Sequence, residues 1–147
     1  MANLTNTVIG PNSDNKLIQY GFYKYSTIAS TPSYIHMKTN NPMFSSQMSM
    51  IEAVGYNFGL SLPIRCSWTM YTYGGGGVYP GMQNCYGGLN ADNIYASSDG
   101  YAVIVAYATT LYYCGFSLNA YQTAGNGRGL KLSILASAQS ASATGVY

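Results

Sequence analysis

Charge is what this chain has least of. Six Lys/Arg and four Asp/Glu make up 7% of 147 residues, against roughly 25% in ordinary soluble domains. The cations Lys16, Lys24, Lys38, Arg65, Arg128 and Lys131 are scattered. Without a basic stripe, nucleic-acid binding through phosphate contacts has no footprint. Apolar runs approaching ~18 residues are absent, so no stretch reads as a membrane-spanning helix and no membrane insertion is expected. No useful 3.6-residue periodicity occurs, which leaves helices without a signal. Titratable chemistry is equally sparse: one histidine, His36, and the carboxylates Asp14, Glu52, Asp92 and Asp99. No nucleophile elbow, phosphate loop or metal-ligand spacing is present. The expectation is a protein that is not an enzyme and that holds neither cofactor nor metal.

Cysteine is also scarce. Cys66, Cys85 and Cys114 form an odd, widely spaced set, which is no disulfide framework. They read as buried free thiols acting as small hydrophobes. Residues 1–5 lack the basic and apolar regions of a secretory signal. The chain is expected to be made in a cytoplasm, or processed beforehand.

What the chain does have is tyrosine, 16 residues of it, with 17 glycines. With so little charge, its surface must be covered by Tyr, Ser, Thr, Asn and Gly. Such a surface can rest against itself or against sugars, which points to assembly or binding.

Short segments of alternating polarity recur about every ten residues. In 64–73, Ile64, Cys66, Trp68 and Met70 share one face and Arg65, Ser67 and Thr69 the other, the period of a half-buried strand. In 33–39, Ile35 and Met37 oppose Tyr34, His36 and Lys38. In 47–58, Met48, Met50, Val54 and Tyr56 are expected to face inward. Residues 101–107 are apolar on both registers, as in a central strand covered on both sides, in one case by a neighbouring subunit. Asp99-Gly100 before them predicts a hairpin with a type I′ turn. Tyr112, Cys114, Phe116 and Leu118 point one way in 111–121, and Leu132, Ile134 and Ala136 in 130–136. Residues 16–25 form a further strand, and 78–86 read as irregular. The expected fold is all-β: an antiparallel, jelly-roll-like β-sandwich of about seven or eight strands. Residues 1–15 read as an N-terminal arm, 16–136 as the sandwich domain and 137–147 as a flexible C-terminal tail.

Each candidate site has a plain structural reading. His36 lies on a polar strand face and is expected at the surface or a subunit contact. Asp92 follows Asn90 and precedes Asn93, a solvated turn lacking a full calcium pattern. Glu52 falls among Met48, Met50 and Val54 and needs a partner; Arg65 is the obvious one. The loop Gly74–Gly77 is flanked by Tyr71, Tyr73 and Tyr79. Tyrosine gives large contact area at low entropic cost, and its ring stacks on sugars. These three tyrosines are the candidate binding tip. Tyr56, Tyr101, Tyr107 and Tyr112 read instead as strand residues that build cores and subunit contacts.

Several short motifs occur in order: His36-Met37-Lys38-Thr39-Asn40, then Glu52-Ala53-Val54-Gly55-Tyr56 with Gly59, then Pro63-Ile64, then Gly100-Tyr101-Ala102-Val103-Ile104-Val105, then Tyr112-Tyr113 and Phe116. Over residues 34–135 this order resembles the C-terminal knob domains of phage tail fibres and related viral structural proteins. The resemblance implies an all-β knob, usually homotrimeric, displayed on a virion and contacting a host surface. No shaft-like stretch precedes the matching part, so residues 1–15 would do the anchoring, or the protein would be a stand-alone virion component. No binding residues carry over.

The leading expectation is a viral structural protein, a tail-fibre or spike tip that attaches a virion to its host. Its partners would be sister subunits in a homotrimer, other virion proteins and a host-surface glycan. The alternatives are a capsid or tail decoration protein and a non-viral glycan-binding lectin. An excess of apolar and Tyr side chains on both strand registers supports oligomerisation, because one small core cannot absorb them.

Overall fold

The structure is a computed structural model that describes residues 8–9, 16–73, 77–124 and 131–147. Among them ten strands occur: β1 (Val8–Ile9), β2 (Lys16–Thr27), β3 (Ser33–Pro42), β4 (Gln47–Asn57), β5 (Leu62–Tyr73), β6 (Gly77–Gly87), β7 (Asn90–Ala96), β8 (Tyr101–Ala108), β9 (Cys114–Ala124) and β10 (Ile134–Ser140). A single 3-10 turn, Phe58–Leu60, joins β4 to β5. The strands form a six-stranded sheet, β1-β2-β9-β4-β5-β6, and a four-stranded sheet, β10-β3-β8-β7. All pairings are antiparallel. The two sheets pack face to face as a sandwich.

The winding is jelly-roll-like at its base. β2 pairs with β9 in one sheet while β3 pairs with β8 in the other, so the chain alternates layers as it enters and leaves. Between these, β4, β5 and β6 run as a meander in one sheet. The core fills the gap between the layers. Ile51, Trp68, Phe116 and Leu118 come from one side, and Ile35, Met37, Ile94 and Ile104 from the other. Trp68 is wholly buried, and its indole N–H donates to the Val105 carbonyl of the opposite sheet at 3.0 Å. That carbonyl lies where β7 bulges between Ala91 and Asn93.

The inward register of β5 is as the alternation predicts: Ile64, Cys66, Trp68 and Met70 are all buried. β4 is the reverse of the expectation. Ser49, Ile51, Ala53 and Asn57 are buried, while Met48, Val54 and Tyr56 are exposed. Both registers of this strand carry apolar residues, and the pairing Ile51↔Trp68 and Ala53↔Cys66 selects the other one. Tyr112 also differs: it precedes β9 and is exposed. The segment 78–86 is a full strand rather than irregular, because it pairs along β5.

The hairpin at Asp99-Gly100 forms between β7 and β8, but with a different turn. Ser97 accepts from the Gly100 N–H at 3.0 Å and donates its own N–H to Tyr101 at 2.8 Å. Only Gly100 takes positive φ, at 85°. This is a four-residue turn closed by a glycine bulge, not the two-residue type I′ turn, which needs positive φ at both centres.

β10 runs to Ser140, past the boundary expected at 136. Residues 141–147 then cross the outer face of the four-stranded sheet. The Val146 N–H donates to Tyr95 Oη at 3.3 Å, and the Ser98 N–H to the Tyr147 carbonyl at 3.3 Å. Val103 and Val105, on this outer face, have no exposure at all. The second covered face of β8 is therefore closed by the chain's own C-terminal segment.

Candidate functional site: the open face of the six-stranded sheet and its tyrosine tip

The outward registers of β2, β9, β4, β5 and β6 build one broad face. On β4 it carries Met48, Met50, Glu52, Val54 and Tyr56, with Tyr71 opposite Met48 and Tyr121 opposite Met50. Met48 is 55% exposed, Tyr56 59%, and Tyr86 on the edge strand 68%. Tyr20 meets Tyr121 edge-on at 6.3 Å. Burial, reinforced by the neighbouring Tyr20 and Glu52, pushes the Tyr121 phenol above its ordinary range. At the far end Phe58, Tyr112 and Tyr113 form an exposed cluster, with the two tyrosine rings 4.7 Å apart.

Charge is nearly absent from this face. Among the described side chains, the register places only Lys24, Glu52 and Arg65 on it. Arg65 Nε donates to Glu52 Oε1 at 3.0 Å, which gives Glu52 the partner expected for it. Arg65 itself is largely in solvent, so the pair adds little stability. It nonetheless neutralises the centre of the face.

The hairpin β5–β6 carries the tip. Tyr71 and Tyr73 share the outward register of β5, their rings 5.9 Å apart and inclined at 40°. Tyr73 is 52% exposed. Tyr79 is the register partner of Tyr71 on β6, and Gly77 pairs with Tyr73. The hairpin thus brings all three positions to one end of the sheet. The Tyr79 side chain and the loop residues 74–76 lie outside the described residues.

The other candidates fall elsewhere. His36 is fully buried, not at the surface. Its Nε2 meets the Ser142 carbonyl at 2.8 Å and its Nδ1 meets Tyr95 Oη at 3.1 Å. A carbonyl can only accept, so in the neutral ring Nε2 carries the proton and Tyr95 donates to Nδ1. The C-terminal segment covers a residue whose strand alternation alone placed it outside. Lys38, two residues on, donates to Asp99 Oδ2 at 2.5 Å and lies 5.5 Å from the Tyr101 ring and 5.8 Å from the Tyr147 ring. Asp92 is exposed at the β7 bulge. Among the described residues no three His, Cys, Asp or Glu side chains are grouped to hold a metal ion. None of the helical segments among them is long and apolar enough to cross a membrane.

A shallow depression of about 380 Å³ lies at the base of the open face, lined by Ser26, Thr27, Ile28, Tyr56, Tyr113 and Cys114. Burial pushes the Cys114 thiol up to about 11, so at neutral pH it is protonated and weakly nucleophilic. Cys66 and Cys85 are the feature that sequence reasoning missed. They stand directly opposite each other on β5 and β6. Comparison with protein-family models, with curated proteins and with solved structures found no match.

Proposed function

We propose that this chain is a structural protein of a virion surface, the tip of a tail fibre or spike, which assembles as a homotrimer and attaches the particle to its host. One observation carries the reading. The two outer faces of the sandwich are treated differently: the four-stranded sheet is covered by residues 141–147, while the six-stranded sheet presents Met48, Val54, Tyr56 and Tyr86 to solvent. An open face with little net charge, carrying exposed Met, Val and Tyr side chains on either side of a polar row through Ser67, Glu52 and Asn119, supports an interaction surface. Low charge reduces the desolvation cost of burying it. The order of motifs shared with tail-fibre knob domains supports the viral setting. The Tyr71–Tyr73 tip stands at one end of the face, on a hairpin that can project toward a partner while the face packs against sister subunits.

Light scattering after size exclusion tests assembly. The wild type is expected as a trimer at micromolar concentration, and Val54→Lys combined with Met48→Lys as a folded monomer. A monomeric wild type would remove the proposal. Tyr73→Ala combined with Tyr79→Ala is expected to abolish host adsorption and leave the trimer intact. An intact trimer with unchanged adsorption would point to a decoration protein. Glycan binding by the chain without any virion association would point to a lectin.

A further inference from the structure

Cys66 lies on the buried register of β5, and Cys85 is its direct partner on the edge strand β6. Directly opposed residues of antiparallel strands have Cα atoms about 4.5–5.5 Å apart. A disulfide spans Cα separations of about 4.4–6.8 Å. Both side chains face the core side of the sheet, so no strand has to slide or flip to bring the sulfurs together. We propose that Cys66 and Cys85 form an oxidisable pair, closed to a cross-strand disulfide by exchange with a small-molecule disulfide.

The surroundings assign a role to each sulfur. Cys85 is half-buried on an edge strand, whereas Cys66 is fully buried. The Ala91 N–H donates to Cys85 Sγ. The hydrogen bond from Cys66 holds the Cys85 thiol down to about 7, and Ala91 adds to the effect. The same contact, together with burial, pushes the Cys66 thiol up. When Cys85 is protonated, the Cys66 S–H is free to donate to the Leu89 carbonyl, 2.9 Å away. Cys85 is thus the attacking thiolate and Cys66 the resolving thiol.

The chemistry balances without a metal or a bound cofactor. The Cys85 thiolate attacks one sulfur of the small disulfide, forming a mixed disulfide and releasing one small thiolate. Cys66 gives up its proton and attacks the Cys85 sulfur, forming the protein disulfide and expelling the second thiolate. The protein dithiol is oxidised by two electrons and the small disulfide is reduced to two thiols, which take up the two protons. The bridge closes the base of the hairpin that carries Tyr71, Tyr73 and Tyr79. It also ties the otherwise one-sided strand β6 to its neighbour.

The folded wild-type protein, in native buffer with excess oxidised glutathione, provides the test. Free thiols are counted by alkylation and intact mass, and the linkage is mapped with chymotrypsin. Trypsin does not serve, because no Lys or Arg separates Arg65 from Arg128. The expected result is loss of two of the three thiols, a mass lower by two hydrogens, and joined Cys66 and Cys85 peptides with Cys114 still alkylated. Cys66→Ser is expected to stop at one glutathione adduct on Cys85, and Cys85→Ser to take none. Three persisting thiols in the wild type, or a bridge that includes Cys114, would overturn the proposal. So would an adduct on Cys66 in Cys85→Ser, which would reverse the assigned roles.

Discussion

Replacing Trp68 with Phe tests the closure of the sandwich most directly. The indole is the largest fully buried side chain, and its N–H reaches the Val105 carbonyl across the gap between the sheets at 3.0 Å. Phenylalanine keeps an aromatic ring on the same face of β5 but removes the donor. The Val105 carbonyl is then left against hydrocarbon, at a cost of about 1–3 kcal/mol. The smaller ring also leaves a void of a few tens of Å³, which at ~24 cal/mol per Å³ adds about 1 kcal/mol. The expected loss is about 2–4 kcal/mol, a large share of the ~5–15 kcal/mol that holds a typical domain folded. It corresponds to a fall in Tm on the order of 10 °C. Urea denaturation followed by circular dichroism is the suitable assay, because Trp68 is the only tryptophan and its replacement removes the fluorescence signal. Protein concentration must be held fixed, since self-association of the kind proposed would stabilise the folded chain by mass action. A loss below about 1 kcal/mol would refute the reasoning, because it would mean that water already reaches the Val105 carbonyl.

Three further outcomes follow from particular contacts. Gln19 is buried and exchanges two hydrogen bonds with the Leu132 backbone, at 2.8 and 3.0 Å; Gln19→Leu is expected to cost about 2–4 kcal/mol and to speed hydrogen exchange at the Leu132 amide, and unchanged exchange there would count against it. Gly55→Ala places a methyl group against the Gly115 carbonyl and 2.5 Å from Phe116 Cα; forcing β4 and β9 apart is expected to cost about 3 kcal/mol, and wild-type melting would contradict that close approach. The Asp99 carboxyl is held below its ordinary range by the hydrogen bond from Lys38, with Ser97 adding to it. Its folded value lies below its unfolded one, so the stability it contributes is present above the usual Asp range, about 3.9, and is lost as the pH falls through the folded value. Wild type is expected to melt above Asp99→Asn near pH ~6, with the difference shrinking as the pH falls through and below the usual Asp range. A pH-independent difference would show that Asp99 acts through the turn rather than through charge.

The sandwich was legible where one strand register was clearly more apolar than the other. β5 alternates Ile64, Cys66, Trp68 and Met70 with polar residues, and its inward face follows directly. β4 was not legible, because Met48, Met50, Val54 and Tyr56 outweigh Ile51 and Ala53 in apolar bulk. Pairing with β5 and β9 set its register instead, which is how the most apolar side of the strand came to form the open face. His36 was misplaced because alternation identifies the face of a sheet but not what lies over it. The layer over it, at Ser142, is 106 residues away in sequence. The pairing of Cys66 with Cys85 was not legible. The register at the tip, Tyr71↔Tyr79, continued without interruption would set Cys66 opposite Asn84, and the irregularity between Trp68 and Met70 shifts it to Cys85. The three tyrosines flanking the glycine loop lie at one end of the sheet in the observed register, and their role in binding rests on the proposal.

The contact between His36 and the C-terminal segment makes this protein its own probe. With one imidazole in the chain, a nitrogen spectrum holds one pair of ring signals and needs no assignment. Nε2 faces the Ser142 carbonyl and Nδ1 the Tyr95 hydroxyl, which also receives the Val146 N–H. A docked segment fixes a single tautomer, whereas a released one exposes the ring to water and averages the two. The signal therefore reports whether the last residues are seated, in isotopically enriched protein and without any attached probe group.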